Sequence, residues 1–84
     1  MNAKVITRTQ TGVRIESSLL KVLKGLAEYT DLSLGDLLEG IVLHSFEGKA
    51  PFSPETLAVI EQLKAVYGCG LSAADSHMLT ETEE

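Results

Sequence analysis

The sequence predicts a mainly α fold with one β-strand, built as an intertwined homodimer and extended by an extra C-terminal helix. Three observations predict it. Residues 7–15 alternate in character and are rich in β-branched types. Three later segments carry apolar residues at helical spacing, and Ser33 and Ser53 stand in capping position before two of them. A chain of 84 residues with one cysteine also lacks the size and the disulfides for easy stability as a single subunit.

The strand comes first. Thr7, Thr9, Thr11, Val13 and Ile15 occupy the odd positions, and Arg8, Gln10, Gly12 and Arg14 the even ones. Strand side chains point to opposite faces with period two, so one face is polar and basic and the other turns apolar toward Ile15. A first helix is expected from near Ser17 to near Thr30, with Leu19, Leu20, Leu23, Leu26 and Ala27 on its apolar face. Ser33 then reads as an N-cap, Asp36 stands at the third helical position, and Leu32 and Leu37 are spaced for a hydrophobic staple. The second helix runs from Leu34 to about Glu47 on Leu34, Leu37, Leu38, Ile41, Val42 and Phe46, with Leu43 outside that stripe. Gly48 suits the position after its end. Ser53-Pro54-Glu55 opens a third helix, carried by Leu57, Ile60, Leu63 and Val66 or Tyr67 and ended near Gly68. Residues 70–84 hold Asp75, Glu81, Glu83 and Glu84 without a base, and a frayed tail is expected there. The chain divides into an N-terminal part, 1–48, that holds the strand and the first two helices, and a C-terminal helix with its acidic tail, 49–84.

A lone strand leaves its backbone N–H and C=O groups without ladder partners. Pairing with the same strand of a second copy, antiparallel by two-fold symmetry, would satisfy them. Two small cores would then pool into one, with Val13, Ile15, Leu19, Leu23, Leu26, Leu37, Leu38, Ile41 and Val42 as its residues. The alternative is that the first fifteen residues are a disordered arm.

Charge is segregated along the chain. The net charge is −5, yet residues 1–24 hold Lys4, Arg8, Arg14, Lys21 and Lys24 against Glu16 alone, which is +4. Residues 25–84 hold Lys49 and Lys64 against eleven acids, which is −9. A basic front on an acidic body suits contact with a polyanion. No apolar run approaches the roughly 20 residues of a membrane span. The start Met-Asn-Ala-Lys-Val lacks the apolar stretch of a signal peptide, and with a single thiol the expected compartment is the cytoplasm.

The order of strand, helix, Ser-capped turn and helix over residues 8–47 resembles the ribbon-helix-helix (Arc/MetJ-like) DNA-binding regulators. The resemblance covers a little under half of the chain. It implies a sequence-specific transcriptional regulator, a repressor, whose antiparallel ribbon enters the major groove of double-stranded DNA. By position it implies base contacts from Gln10, Gly12 and Arg14, with Arg8 added on the same face. A fork from arginine to guanine, or from glutamine to adenine, is the chemistry such residues supply. It implies phosphate contact at the start of the second helix, through Ser33 and the backbone of Leu34 and Gly35, where free N–H groups and the helix dipole favour an anion. Lys4, Lys21 and Lys24 add phosphate contacts. Gly12 departs from the pattern, since it has no side chain to offer a base.

Other chemistry is not expected. His44 and His77 lack metal-ligand spacing, Cys69 lacks nearby bases, and the pair Ser17-Ser18 reads as helix capping. No enzyme activity, cofactor or metal is expected. The third helix reads as structural, covering Leu43 and enlarging the dimer core. The alternative is an antitoxin-type or pure protein-interaction module that binds a partner through this helix and the acidic tail.

Overall fold

The computed structural model describes residues 3–82. They form three α-helices: α1, Ser17–Thr30; α2, Leu34–Phe46; and α3, Pro54–Tyr67. A 3-10 turn, Ala73–Asp75, follows in the C-terminal segment. Among the described residues there is no strand, and that overturns the expected fold class. The chain is all-helical and is not a ribbon-helix-helix fold with a β-strand. The intertwined dimer with an intermolecular antiparallel ribbon falls with it. The physical reason lies in the ladder. Alternating β-branched residues record a preference for extended backbone, whereas a strand needs a second backbone beside it. Residues 3–15 find none among the described residues: their N–H and C=O groups make no backbone hydrogen bond there. They form an exposed arm, with only Ile15 half-buried.

Each helix is bounded by local chemistry. At α1 the cap is Glu16, not Ser17. Its carboxylate accepts the Leu19 N–H at 2.9 Å and the Ser18 hydroxyl at 2.6 Å. The Ser18 hydrogen bond, then that of the Leu19 amide, holds the Glu16 carboxyl below its ordinary range. Asp31 ends α1 in the left-handed region at φ 60, and the Leu32 N–H closes back on the Ala27 carbonyl at 2.9 Å. Ser33 caps α2, its hydroxyl accepting the Asp36 N–H at 3.1 Å. Gly48, at φ 69, closes the other end, with the Lys49 N–H donating to the His44 carbonyl at 2.8 Å. Ser53 caps α3 through the Thr56 N–H at 3.2 Å, with Pro54 at the first helical position. Gly68, at φ 66, turns the chain out of α3.

The core sits between α1 and α3. Leu26, Ala27 and Leu37 are buried together, with Leu23, Ile41, Phe52, Ile60 and Leu63 packed against them. Leu26 is 2 % exposed and is the largest fully buried side chain. At Gly25 the side chains of α3 press close on α1: an added Cβ would stand 3.1 Å from Leu63 Cδ2 and 3.5 Å from Tyr67 Cε2. Val22 is also buried, one turn before Leu26, whereas Leu20, placed on the apolar face by the sequence, is half-buried. α2 is held by Leu37, which is buried, and by Ile41, which reaches the core. Its second half is bare: Leu43 is 62 % exposed and Phe46 82 %. α3 therefore does not cover Leu43; it lies along α1 instead.

The C-terminal segment is more ordered than a frayed tail. Ser72 and Asp75 close a capping box on the 3-10 turn, the Ser72 N–H donating to Asp75 Oδ2 at 2.8 Å. Cys69 follows the Gly68 turn and is buried. Leu71, Asp75 and Leu79 line a cleft of about 360 Å³ with Leu19 and Val22 of α1 and Phe52 before α3. No helix among the described residues is long and apolar enough to cross a membrane.

Candidate nucleic-acid interface

The residues expected to meet DNA lie on three elements. Lys4, Arg8, Gln10, Gly12 and Arg14 are on the arm and are all exposed. Lys21 and Lys24 are exposed on α1, because both fall on the side opposite Val22 and Leu26. Ser33, Leu34 and Gly35 form the first turn of α2, with Ser33 and Gly35 exposed and Leu34 half-buried. A Cβ on Gly35 or Gly12 would meet nothing within 4 Å, so the backbone is open to approach at both. Lys4, Lys21 and Lys24 make no ion pair among the described residues.

The two arginines of the arm are engaged within the chain. Arg8 forks onto Glu39 of α2, with Nε 2.9 Å from Oε2 and Nη2 2.8 Å from Oε1. The same Nη2 lies 3.4 Å from Asp36 Oδ1. This two-pronged bond lowers the Glu39 carboxyl below its ordinary range and raises Arg8 above its own, the hydrogen bond acting ahead of the bare charge. Arg14 forks onto Glu81 of the C-terminal segment, with Nε 3.4 Å from Oε2 and Nη2 bonded to Oε1. Both clasps are exposed to solvent, where such pairs contribute little and weaken with salt.

The sequence pointed to the arginines and missed their partners. Glu39 is 31 residues from Arg8 and Glu81 is 67 from Arg14, so no local spacing could have announced either pair. Asp36 stands at the third position of α2, where its N–H serves the Ser33 cap, while its carboxylate faces Arg8. The result at the start of α2 is mixed: open backbone N–H groups beside a carboxylate that already holds a cation.

The residues assigned to a dimer core divide differently. Leu26 and Leu37 are buried in the single chain, and Ile15, Leu19, Leu23, Leu38 and Ile41 are half-buried. Val13, at 74 % exposure, and Val42, at 43 %, are left exposed within it. His44 turns its Nδ1 to the Gly40 carbonyl at 2.7 Å, a bond along its own helix. Among the described residues no group of His, Cys, Asp or Glu is placed to hold a metal ion. No family model matches the chain, and neither a curated protein nor a solved structure matches it.

Proposed function

We propose that the chain is a sequence-specific DNA-binding transcription regulator, a repressor of the cytoplasm, acting as a homodimer on double-stranded DNA. The observation that carries the reading is the placement of charge. Five of the seven basic residues fall in the first 24 positions. They stand on an exposed arm and on the solvent face of α1, on a chain that is otherwise acidic. Polyanion binding draws its free energy from releasing the counterions that such residues replace. The reading rests on this placement and not on a ribbon.

Arg8, Gln10 and Arg14 supply the groups that read base edges, and Lys4, Lys21 and Lys24 supply contacts to phosphate. An extended arm can follow a groove with its backbone N–H groups uncommitted. The clasps on Arg8 and Arg14 do not oppose this. Exposed ion pairs exchange for phosphate or a guanine edge at small cost, because each arginine keeps an anionic or acceptor partner. The homodimer is supported by the bare half of α2, where Val42, Leu43 and Phe46 present apolar surface that a single chain leaves in water. α3 fits a partner-binding role less well, since Ile60 and Leu63 are spent on the core.

The test is binding of the purified protein to duplex DNA across a salt series. The expected result is a logarithmic affinity that falls steeply with salt. Arg14→Ala should lose about 1–3 kcal/mol on a preferred site. Lys24→Ala should weaken all sequences alike and reduce the salt slope by about 1. Absence of duplex binding at low salt would remove this function.

A further inference from the structure

We propose that the C-terminal segment, residues 72–82, is a strap that masks Arg14 and lowers the affinity of the arm for DNA. This rests on the DNA-binding reading above. The last described acid of the chain is bonded to an arginine of the arm: Glu81 takes the fork of Arg14 across 67 residues of sequence. Two further contacts explain how it gets there. Ser72 and Asp75 close the 3-10 turn on itself, which fixes where the segment leaves Cys69. Leu79 then lines the same cleft as Leu19 in the first turn of α1. Arg14 precedes Leu19 by five residues and Glu81 follows Leu79 by two, so seating Leu79 against α1 brings the carboxylate to the base of the arm.

The strap is weakly held, as a reversible mask must be. The Arg14 and Glu81 side chains are 84 % and 64 % exposed. Leu79 is half-exposed, and its neighbour Met78 is more so. Sequence charge acts in the same direction, because every charged residue after Lys64 is acidic. A duplex carries a far denser line of negative charge than one carboxylate and displaces it. The strap therefore lowers the affinity by a small, salt-dependent factor and does not block the arm.

The experiment compares wild type, Glu81→Gln, Leu79→Ser, Arg14→Ala and the Arg14→Ala/Glu81→Gln double variant. Each full-length protein is titrated with one short duplex of mixed sequence at about 50 and about 200 mM salt. Glu81→Gln and Leu79→Ser should bind roughly two- to fivefold tighter at the lower salt, the range one exposed ion pair covers. The gain should shrink at the higher salt and vanish in the Arg14→Ala background, since masking requires both partners. Equal affinities of wild type and Glu81→Gln, with Arg14→Ala weaker than both, would overturn the strap and leave the DNA-binding reading standing. A gain that persists without Arg14 would also overturn it, by showing general repulsion. No binding by wild type or Glu81→Gln would remove the strap and the reading together.

Discussion

Leu26→Ala tests the helical packing most severely, because Leu26 is the largest side chain fully removed from water. Three buried carbons are lost, and at about 0.8 kcal/mol for each the transfer part comes to about 2.4 kcal/mol. In a closed core the void left behind raises such substitutions to about 2.7–5.0 kcal/mol. Leu26, however, borders the open cleft of about 360 Å³, so the new space joins one that water already reaches. That keeps the added part small, and the expected loss is about 2.5–3 kcal/mol. A chain of 84 residues has roughly 4–13 kcal/mol in all, at about 0.05–0.15 kcal/mol per residue. Urea unfolding followed by far-ultraviolet circular dichroism reads the change directly. With a slope near 1 kcal/mol per molar, the midpoint should fall by about 2.5–3 M, and the least stable proteins of this size would keep only about 1–1.5 kcal/mol without urea. Val66→Ala, on an exposed position of α3, should stay within about 0.5 kcal/mol of wild type. A Leu26→Ala midpoint within about 0.5 M of wild type, at an unchanged slope, would refute the packing described for α1 and α3.

Acid should release the arm. The Glu39 carboxyl is held below its ordinary range by Arg8, so the clasp is fully present above the carboxylate range of the unfolded chain and is lost as pH falls through the lowered value. Amide resonances of residues 5–10 should shift in one acid step below the usual glutamate range, and Glu39→Gln should abolish it; an unchanged step in that variant would discard the clasp. Phe46→Ala addresses the homodimer. Phe46 is exposed in the single chain, so the protomer should lose under about 0.5 kcal/mol, while an aromatic anchor in an interface costs at least about tenfold in association. Sedimentation equilibrium showing equal association for variant and wild type would take α2 out of the interface.

The helices were legible because each is written in local code. Ser33, Ser53-Pro54, Gly48 and Gly68 act on groups three or four residues away, and the structure uses each of them. The first cap was misread for a reason of the same kind: Glu16 reaches the Leu19 N–H as well as a serine could, so Ser17 was already inside the helix. The strand was illegible in principle, since the pattern over residues 7–15 states what a strand's faces would be and not whether a neighbour exists. The site was half legible. Charge placement along the chain marked Arg8 and Arg14, but their carboxylates come from α2 and from the far end of the sequence, and only folding brings them near. The position of α3 failed similarly, because nothing in its periodicity says that α1, with Gly25 open for close approach, is a better seat than Leu43.

The uneven attachment of α2 has a consequence for how the molecule opens. α1 and α3 share Leu26, Ile60 and Leu63, whereas α2 is moored by Leu37 and Ile41 and is exposed from Val42 to its end. Subglobal opening should therefore begin at the Phe46 end, and its amide protons should exchange with solvent well before those around Leu26. Arg8 is fastened at Glu39, between Leu37 and Ile41, so the arm stays held while that end opens. Any partner that covers Leu43 and Phe46 slows that opening and leaves the arm's clasp unchanged. The order of exchange thus reports, in a single experiment on the intact chain, whether the bare end of α2 is free in solution.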